Sequence, residues 1–417
     1  MLQGDGLKER LAAYRALGDW RKNGVMLREH ALSPFAKELA LGVCRRHLLL
    51  LNAIRQSVKR LPGIEVQCVL ELGVYQLFFM DSVPSHAAVH TSVEMLRSLK
   101  LGEGSVKLVN AVLRKLERDG LPELPAQNVR RISLKYSLPD WIVRRLLDFY
   151  GKAFAEEFAK ESVERPCVWL RVNVQKTTAQ ELQKRLMLSG RLFKDRYLEV
   201  LEGPDEPHLG ELLKSEEFKN GFFSVQNPAA FEVVELLNVE NGMSVWDACA
   251  APGGKSALIA ESYPQTEILA SDLSKERVEQ VSDLTSRLKL SNVRWQVLDA
   301  TCAGFSECFD RILLDVPCSN LGVLSRRPEV KYRLNPNDLE ELPKLQFEIL
   351  DKASPALKKN GILVYATCSP DPQETDKVVR KFLTEHPDFE MAKEPVRIGQ
   401  NDMGLDRFYA AALRRKS

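Results

Sequence analysis

A strand that runs into glycine and then into a helix constrains this chain more than any other feature. Residues 245–248 read as a strand, and Cys249-Ala250-Ala251-Pro252-Gly253-Gly254-Lys255-Ser256 reads as a loop opening a helix at 254–262. From Met243 onward the pattern repeats, with strands at 267–271, 294–298, 309–315 and 362–367 separated by helices that include 274–288 and 338–356. Alternation of this kind predicts a doubly wound parallel sheet. Segments 389–392 and 408–413 are placed to add a terminal antiparallel pair.

Upstream the periodicity is different. From Leu7 to about Gly120 it is helical, over 7–17, 33–61, 65–80, 86–98 and 105–118, with breaks at Pro62-Gly63, Val83-Pro84 and 102–104. Residues 121–125 look like a linker. Helical pattern returns over 128–165, where Asp140 is a candidate cap. Strands at 168–172, 197–201 and 221–225, with a helix at 178–187, then make a small α+β unit. The expectation is three domains: an all-α bundle over 1–125, linking helices and the α+β unit over 126–235, and an α/β Rossmann-like domain over 236–417.

Charge is distributed unevenly. Residues 1–150 hold 23 Lys and Arg against 15 Asp and Glu, while the remainder holds 36 against 42. A polyanion would therefore find the N-terminal third first, although a solvated helical bundle explains the same excess. Arg130, Arg131, Lys135, Arg144 and Arg145 form the candidate basic face. The eight cysteines show no paired metal spacing, and no apolar run is long enough for a membrane span. These features predict a cytoplasmic protein with reduced thiols, no metal and no membrane partner.

Ligands of doubly wound sheets bind beyond the carboxyl ends of the strands. A P-loop would need glycine where Cys249 stands, and a dinucleotide fingerprint is absent. The loop instead suits a carboxylate-bearing nucleoside such as S-adenosylmethionine. Asp272, Asp299 and Asp315 end the second, third and fourth strands, as candidate partners for ribose, adenine and a substrate ring. A single such Asp is more often a helix cap; three beside one glycine loop favour ligand contacts.

Two cysteines follow strand ends, in Pro317-Cys318-Ser319 and Thr367-Cys368-Ser369. Carbon 5 of cytosine is a poor nucleophile until a thiolate adds to carbon 6, and Asp315 is placed to draw off charge at N3. Lys255, Arg326, Arg327 and Lys331 are candidate cations for the thiolate. Either cysteine could attack. Cys44, Cys68, Cys167, Cys302 and Cys308 are expected to be small buried hydrophobes.

The block 247–255, with Asp315-Val316-Pro317-Cys318-Ser319-Asn320-Leu321-Gly322, the segment 327–331 and Tyr365-Ala366-Thr367-Cys368-Ser369, resembles the RNA (cytosine-5)-methyltransferases of the Nop2/Sun family. Tyr75-Gln76-Leu77 and the segment 110–114 are similar to a NusB-type helical RNA-binding domain. The resemblance implies Cys368 as nucleophile and Cys318 in product release. It also implies S-adenosylmethionine held by residues 249–255 (Cys249, Ala250, Ala251, Pro252, Gly253, Gly254, Lys255), Asp272, Asp299 and Asp315. The partner implied is 16S ribosomal RNA; separately, the chain is expected to be monomeric. The same chemistry on transfer RNA, or an RNA-binding assembly factor without catalysis, are the alternatives. Three positions depart from the family pattern: Asn320 replaces a usual glycine, Asn227 replaces Asp, and Asp406-Arg407-Phe408 lacks a glycine.

Overall fold

The computed structural model describes residues 2–201, 203, 206–399 and 403–417. They form two compact units: Met1–Arg165 with Leu324–Leu334, and Pro166–Val323 with Asn335–Ser417.

The first unit is all-helical, but it is larger than the bundle expected over 1–125: the helices over 128–161, expected to link to a middle domain, belong to it. Its elements are α1 (Leu2–Asn23), α2 (Pro34–Ser57), α3 (Ile64–Phe79), α4 (Ser85–Ser98), α5 (Glu103–Asp119), α6 (Asn128–Tyr136) and α7 (Asp140–Glu161). Ser33 caps α2 by accepting the Ala36 N–H at 3.2 Å, with Pro34 in the first turn. Leu39, Val43, Leu50 and Ile54 of α2 recur at helical spacing and are fully buried against Val69, Leu72, Val109 and Leu113. Asp140 does not cap α7. Pro139 holds that position, and the Asp140 carboxylate instead receives Arg130 at 3.1 Å.

Residues 324–334 belong to this helical unit although they lie between two halves of the other. Lys331 Nζ donates to the Arg45 carbonyl at 3.0 Å, and Tyr332 Oη to the carbonyls of Cys44 and Ser137 at 3.1 and 3.0 Å. The Tyr332 ring also meets Trp20 and His47, with centroids 5.5 and 5.4 Å away. Lys331, a sequence candidate for steadying a thiolate, is thus buried against α2.

The second unit begins with a small antiparallel sheet of β1 (Val168–Val172), β2 (Leu192–Phe193), β3 (Tyr197–Val200) and β4 (Phe223–Val225), in the order β2-β3-β1-β4. Its helix, Ala179–Arg185, carries a capping box in which Thr178 and Glu181 bond each other's backbone.

The large sheet comprises β5 (Ser244–Asp247), β6 (Glu267–Asp272), β7 (Val293–Val297), β8 (Phe309–Asp315), β9 (Leu357–Thr367), β10 (Phe389–Met391), β11 (Val396–Ile398) and β12 (Phe408–Arg415). Its order is β10-β12-β9-β8-β5-β6-β7, with β11 also on β12. The five strands β7-β6-β5-β8-β9 are parallel, and β12 closes them antiparallel to β9. Apolar residues cover both faces, around Val245, Leu313 and Val364 on one and Trp246, Ile312 and Leu363 on the other. Strand order reverses at β5, which opens a crevice at its carboxyl end.

Two elements differ from expectation. The helix predicted over 274–288 is interrupted, running as Lys275–Glu279 and Ser282–Leu288. Strand β9 begins at Leu357, because pairing of Phe309 with Leu357 extends it through a lysine-rich, turn-like segment.

Candidate active site

The glycine loop leaves β5 and enters the helix Gly254–Ser262 at the switch point. Gly253 has φ of +92°, and a Cβ there would lie 2.8 Å from the Trp295 ring, so both backbone and space require glycine. Behind the loop sits Arg171 of β1, almost wholly buried. Its guanidinium pairs with both Glu261 oxygens at 3.1 and 2.9 Å, and donates to Gln226 Oε1 and the Gly254 carbonyl, both at 2.7 Å. A charge so deeply buried persists only when paired, and these partners bind the small sheet to the loop.

A cavity of about 250 Å³ opens here. Asp247, Cys249, Ala250, Ala251, Pro252, Gly254, Lys255 and Asp315 line one side, and Gln226, Asn227, Asp406 and Phe408 the other. Lys255 Nζ reaches Asp315 Oδ2 at 2.5 Å and lies 5.0 Å above the Phe408 ring. Burial pulls the Lys255 ammonium down, but Asp315, Asp247 and Cys368 hold it net above its usual value. It therefore stays charged. Asp247 is the opposite case: burial pushes its carboxyl up to about 7 against the Ser256 hydroxyl, which donates to Oδ2 at 2.6 Å. Its Oδ1 is buried without a hydrogen-bond partner.

Cys249–Lys255 and Asp315 thus converge. Asp272 touches the loop from behind, accepting the Ala251 N–H at 3.2 Å and pairing with Arg277 at 3.1 Å. Asp299 accepts both the Thr301 N–H and hydroxyl, at 2.9 and 2.7 Å, in a turn after β7. Neither lines the cavity that holds Asp315.

The two sulfurs meet. Cys318 Sγ and Cys368 Sγ lie 3.1 Å apart, on the loop after β8 and at the end of β9. The contact with Cys368, then burial, raises the Cys318 thiol well above its ordinary value. Asn320 adopts φ of +59°, the backbone region its position demands; it donates to the Cys318 carbonyl at 2.8 Å and accepts from Cys368 Sγ at 3.3 Å. Gly322 N–H donates to the Cys368 carbonyl at 2.8 Å, where a Cβ would collide with the Arg407 carbonyl at 2.3 Å.

One carboxylate joins both loops. Glu374, fully buried, accepts from Ser319 N–H at 2.8 Å, from the Ser319 and Ser369 hydroxyls at 2.5 Å each, and from Gln346 Nε2 at 2.9 Å. Each serine directly follows a cysteine. Sequence reasoning did not single out Glu374, Asp247, Arg171 or Gln226. Only the strand-end position of Asp247 carried a signal.

Cys249 is raised by burial, then by Asp247, Asp315 and Asp272, and so remains a thiol. Cys44 and Cys68 are buried as expected, Cys167 is partly covered, but Cys302 and Cys308 are exposed, both on the connection between β7 and β8. On the basic face, Arg130 is engaged by Asp140 at 3.1 Å and Arg131 by Glu156 at 3.6 Å. Among the described residues no group of three or more His, Cys, Asp or Glu could hold a metal, and no helix is long and apolar enough to cross a membrane.

The chemistry of the lining suits the amino-acid end of S-adenosylmethionine. Its α-amino group and sulfonium are cationic, and the lining offers the orphaned Asp247 oxygen, Asp315 and Asp406. The N–H groups at the start of the Gly254–Ser262 helix suit the carboxylate.

Residues 234–410 match the family described as 16S rRNA methyltransferase RsmB/F, residues 8–118 the NusB family, and residues 138–195 the RsmF/B-like ferredoxin-like domain. The chain is 35% identical over 408 residues to the probable ribosomal RNA small subunit methyltransferase B of Bacillus subtilis, covering 91% of this chain and 90% of that protein. It is likewise 35% identical to ribosomal RNA small subunit methyltransferase B of Vibrio cholerae, with 93% and 89% covered. The crystal structure of PH0851 shares the fold at a TM-score of 0.80 and 24% identity, covering 98% of this chain and 99% of that one. NSun6 from Pyrococcus horikoshii, solved with SFG, superposes at 0.56 with 20% identity, covering 67% and 98%.

Proposed function

The chain belongs to the ribosomal RNA small subunit methyltransferase B family, and from that premise we propose that it methylates carbon 5 of a cytosine in 16S ribosomal RNA through a cysteine–cytosine adduct. The single observation that carries this reading is the pair of sulfurs 3.1 Å apart beside the Lys255–Asp315 pair. An amino-group methylator has no use for two adjacent thiols.

Bound S-adenosylmethionine supplies an electrophilic methyl group. Residues 249–255 with Asp247 would hold it, and Asp272 and Asp299 are assigned to its nucleoside end. Cys368 attacks carbon 6 as a thiolate, breaking the C5–C6 double bond and making carbon 5 nucleophilic. Lys255 holds Asp315 until the ring arrives and can then pass it a proton; Asp315 donates that proton to N3 as the sulfur adds, neutralising the developing charge, and takes it back when the adduct collapses. After methyl transfer the proton on carbon 5 must leave as the C6–sulfur bond breaks. Cys318 suits this step: having given its own proton to solvent, its thiolate takes the proton from carbon 5 and returns to the thiol form that its raised proton affinity favours.

The test uses transcripts of 16S ribosomal RNA and of transfer RNA with radiolabelled methyl donor. Cys318→Ala should accumulate a denaturation-resistant RNA–protein band with the ribosomal transcript, and Cys368→Ser should neither form the band nor transfer methyl groups. A band in Cys368→Ala and none in Cys318→Ala would exchange the two roles. Transfer by Cys368→Ser at the parental rate would end the covalent mechanism.

A further inference from the structure

The helical unit carries two adjacent arginines that no carboxylate reaches within ion-pair distance, although Glu38 and Glu164 act on Arg45 and Arg46 from further away. Arg45 and Arg46 are consecutive on α2, and neither forms an ion pair among the described residues. Arg45 is 6% exposed, and only its Nε is engaged, donating to the Ser325 carbonyl at 3.2 Å. Arg46 lays its guanidinium over the Phe79 ring at 4.2 Å, and Phe79 in turn stacks on Tyr75 at 5.7 Å and 24°. Burial holds both guanidinium groups below their ordinary values.

These residues border a cavity of about 460 Å³. Neighbouring charges are already matched elsewhere: Arg165 meets Glu38 at 2.8 Å, Glu38 accepts the Tyr75 hydroxyl at 2.6 Å, and Glu164 lies 3.9 Å from Lys160. The contrast with Arg130 and Arg131, both occupied by carboxylates, is direct. Burying unpaired cations costs folding free energy, and an anionic ligand offsets that cost. The lining as a whole sets Arg45, Arg46 and Arg165 against Asp81 and Glu164, one positive charge in excess, so a singly charged anion suits it better than a doubly charged one. A phosphodiester is singly charged, whereas a phosphomonoester at neutral pH approaches two charges. The Arg46–Phe79 stack supplies the flat, cationic surface on which unpaired bases rest.

We propose that the Arg45–Arg46 cavity of the helical unit seats one phosphodiester of the RNA substrate, with an adjoining base against the Arg46–Phe79 stack. This rests on the reading that the substrate is RNA. It assigns the head a defined nucleotide subsite in place of a diffuse basic face.

The test is filter binding of a 16S ribosomal RNA transcript to the full-length protein across a salt series, for the parent, Arg46→Gln and Arg46→Lys. Loss of one phosphate contact should weaken binding roughly threefold to tenfold in Arg46→Gln and flatten the slope of log Kd against log salt by about 0.7 to 0.9. Arg46→Lys should restore the slope, because the charge returns, while leaving affinity below parental as the planar stack is lost. Melting temperature and the S-adenosylmethionine thermal shift report that the variants fold. Parental affinity and slope in Arg46→Gln would overturn the proposal. So would a phosphoserine peptide that binds the parent and not Arg46→Gln while RNA binding is unchanged, since the site would then serve a protein. If Cys368→Ser retains methyl transfer but Arg46→Gln loses the slope, the covalent mechanism fails and the subsite stands.

Discussion

Removing the Glu374 carboxylate should disable both cysteine loops at once. Four donors converge on it: the Ser319 N–H, the Ser319 and Ser369 hydroxyls, and Gln346 Nε2. In Glu374→Ala two of them have other recourse. One serine hydroxyl can donate to the other, 3.1 Å away, and Gln346 Nε2 keeps its bond to the Pro317 carbonyl at 2.9 Å. The Ser319 N–H and the second hydroxyl are left buried and unpaired. An orphaned buried donor costs about 1–3 kcal/mol, and the lost charge-assisted bonds and cavity bring the total to roughly 3–5 kcal/mol. Glu374→Gln should cost less, since its carbonyl oxygen can still take Ser319 N–H while its amide donates to rotated serine hydroxyls. Ser319 and Ser369 are peptide-bonded to Cys318 and Cys368, so loosening them by about 1 Å should lower kcat on the order of 10²-fold. Single-turnover methyl transfer beside thermal melts measures both quantities, with KM for S-adenosylmethionine held near parental. A Glu374→Ala protein with parental kcat and melting temperature would refute the reasoning.

Gly322→Ala should act on the same loops by steric means. Its Cβ would lie 2.3 Å from the Arg407 carbonyl and 2.8 Å from that of Cys368, both backbone atoms, so we expect roughly 2–4 kcal/mol of destabilisation in urea melts. An unchanged midpoint would contradict that collision. Lys331 predicts a pH dependence in the helical unit. Burial lowers its ammonium to about 7, with Arg45 and Arg46 assisting and Cys44 opposing, whereas an unfolded lysine titrates near about 10.4. Between these values the unfolded chain binds a proton that the folded chain lacks, so this contribution to stability grows as pH rises from 7 to 10 and is lost as pH falls through 7. Lys331→Met should flatten that slope in urea melts at pH 7, 8 and 9; an identical slope would remove Lys331 as its source.

Much of the architecture was legible because it is local. The strands at Val168–Val172 and Phe309–Asp315 and the helix Gly254–Ser262 fall where periodicity places them. The motif loops could be found for a related reason. A glycine loop and two strand-terminal cysteines are placed by elements only a few residues long, and a parallel sheet brings all strand ends to one edge. Asn320 is instructive: the departure from glycine is absorbed because Asn tolerates the φ of +59° that the turn imposes.

What the residues alone determined, then, was the order of elements, the change from helical bundle to parallel sheet, and the chemical types gathered at the strand ends. Tertiary structure decided which charges are spent. Arg130 and Arg131, expected to contact RNA, lie in surface ion pairs with Asp140 and Glu156, while Arg45 and Arg46, unremarkable as letters, line a cavity with no carboxylate within ion-pair distance. Residues 324–334 joined the helical unit, and Glu374 came to bridge Ser319 and Ser369. The physical reason is range. Backbone preference and hydrophobic period are set by neighbours within a turn or two, whereas the partner of a side chain is chosen by groups that lie up to 307 positions away, as Arg333 and Met26 do.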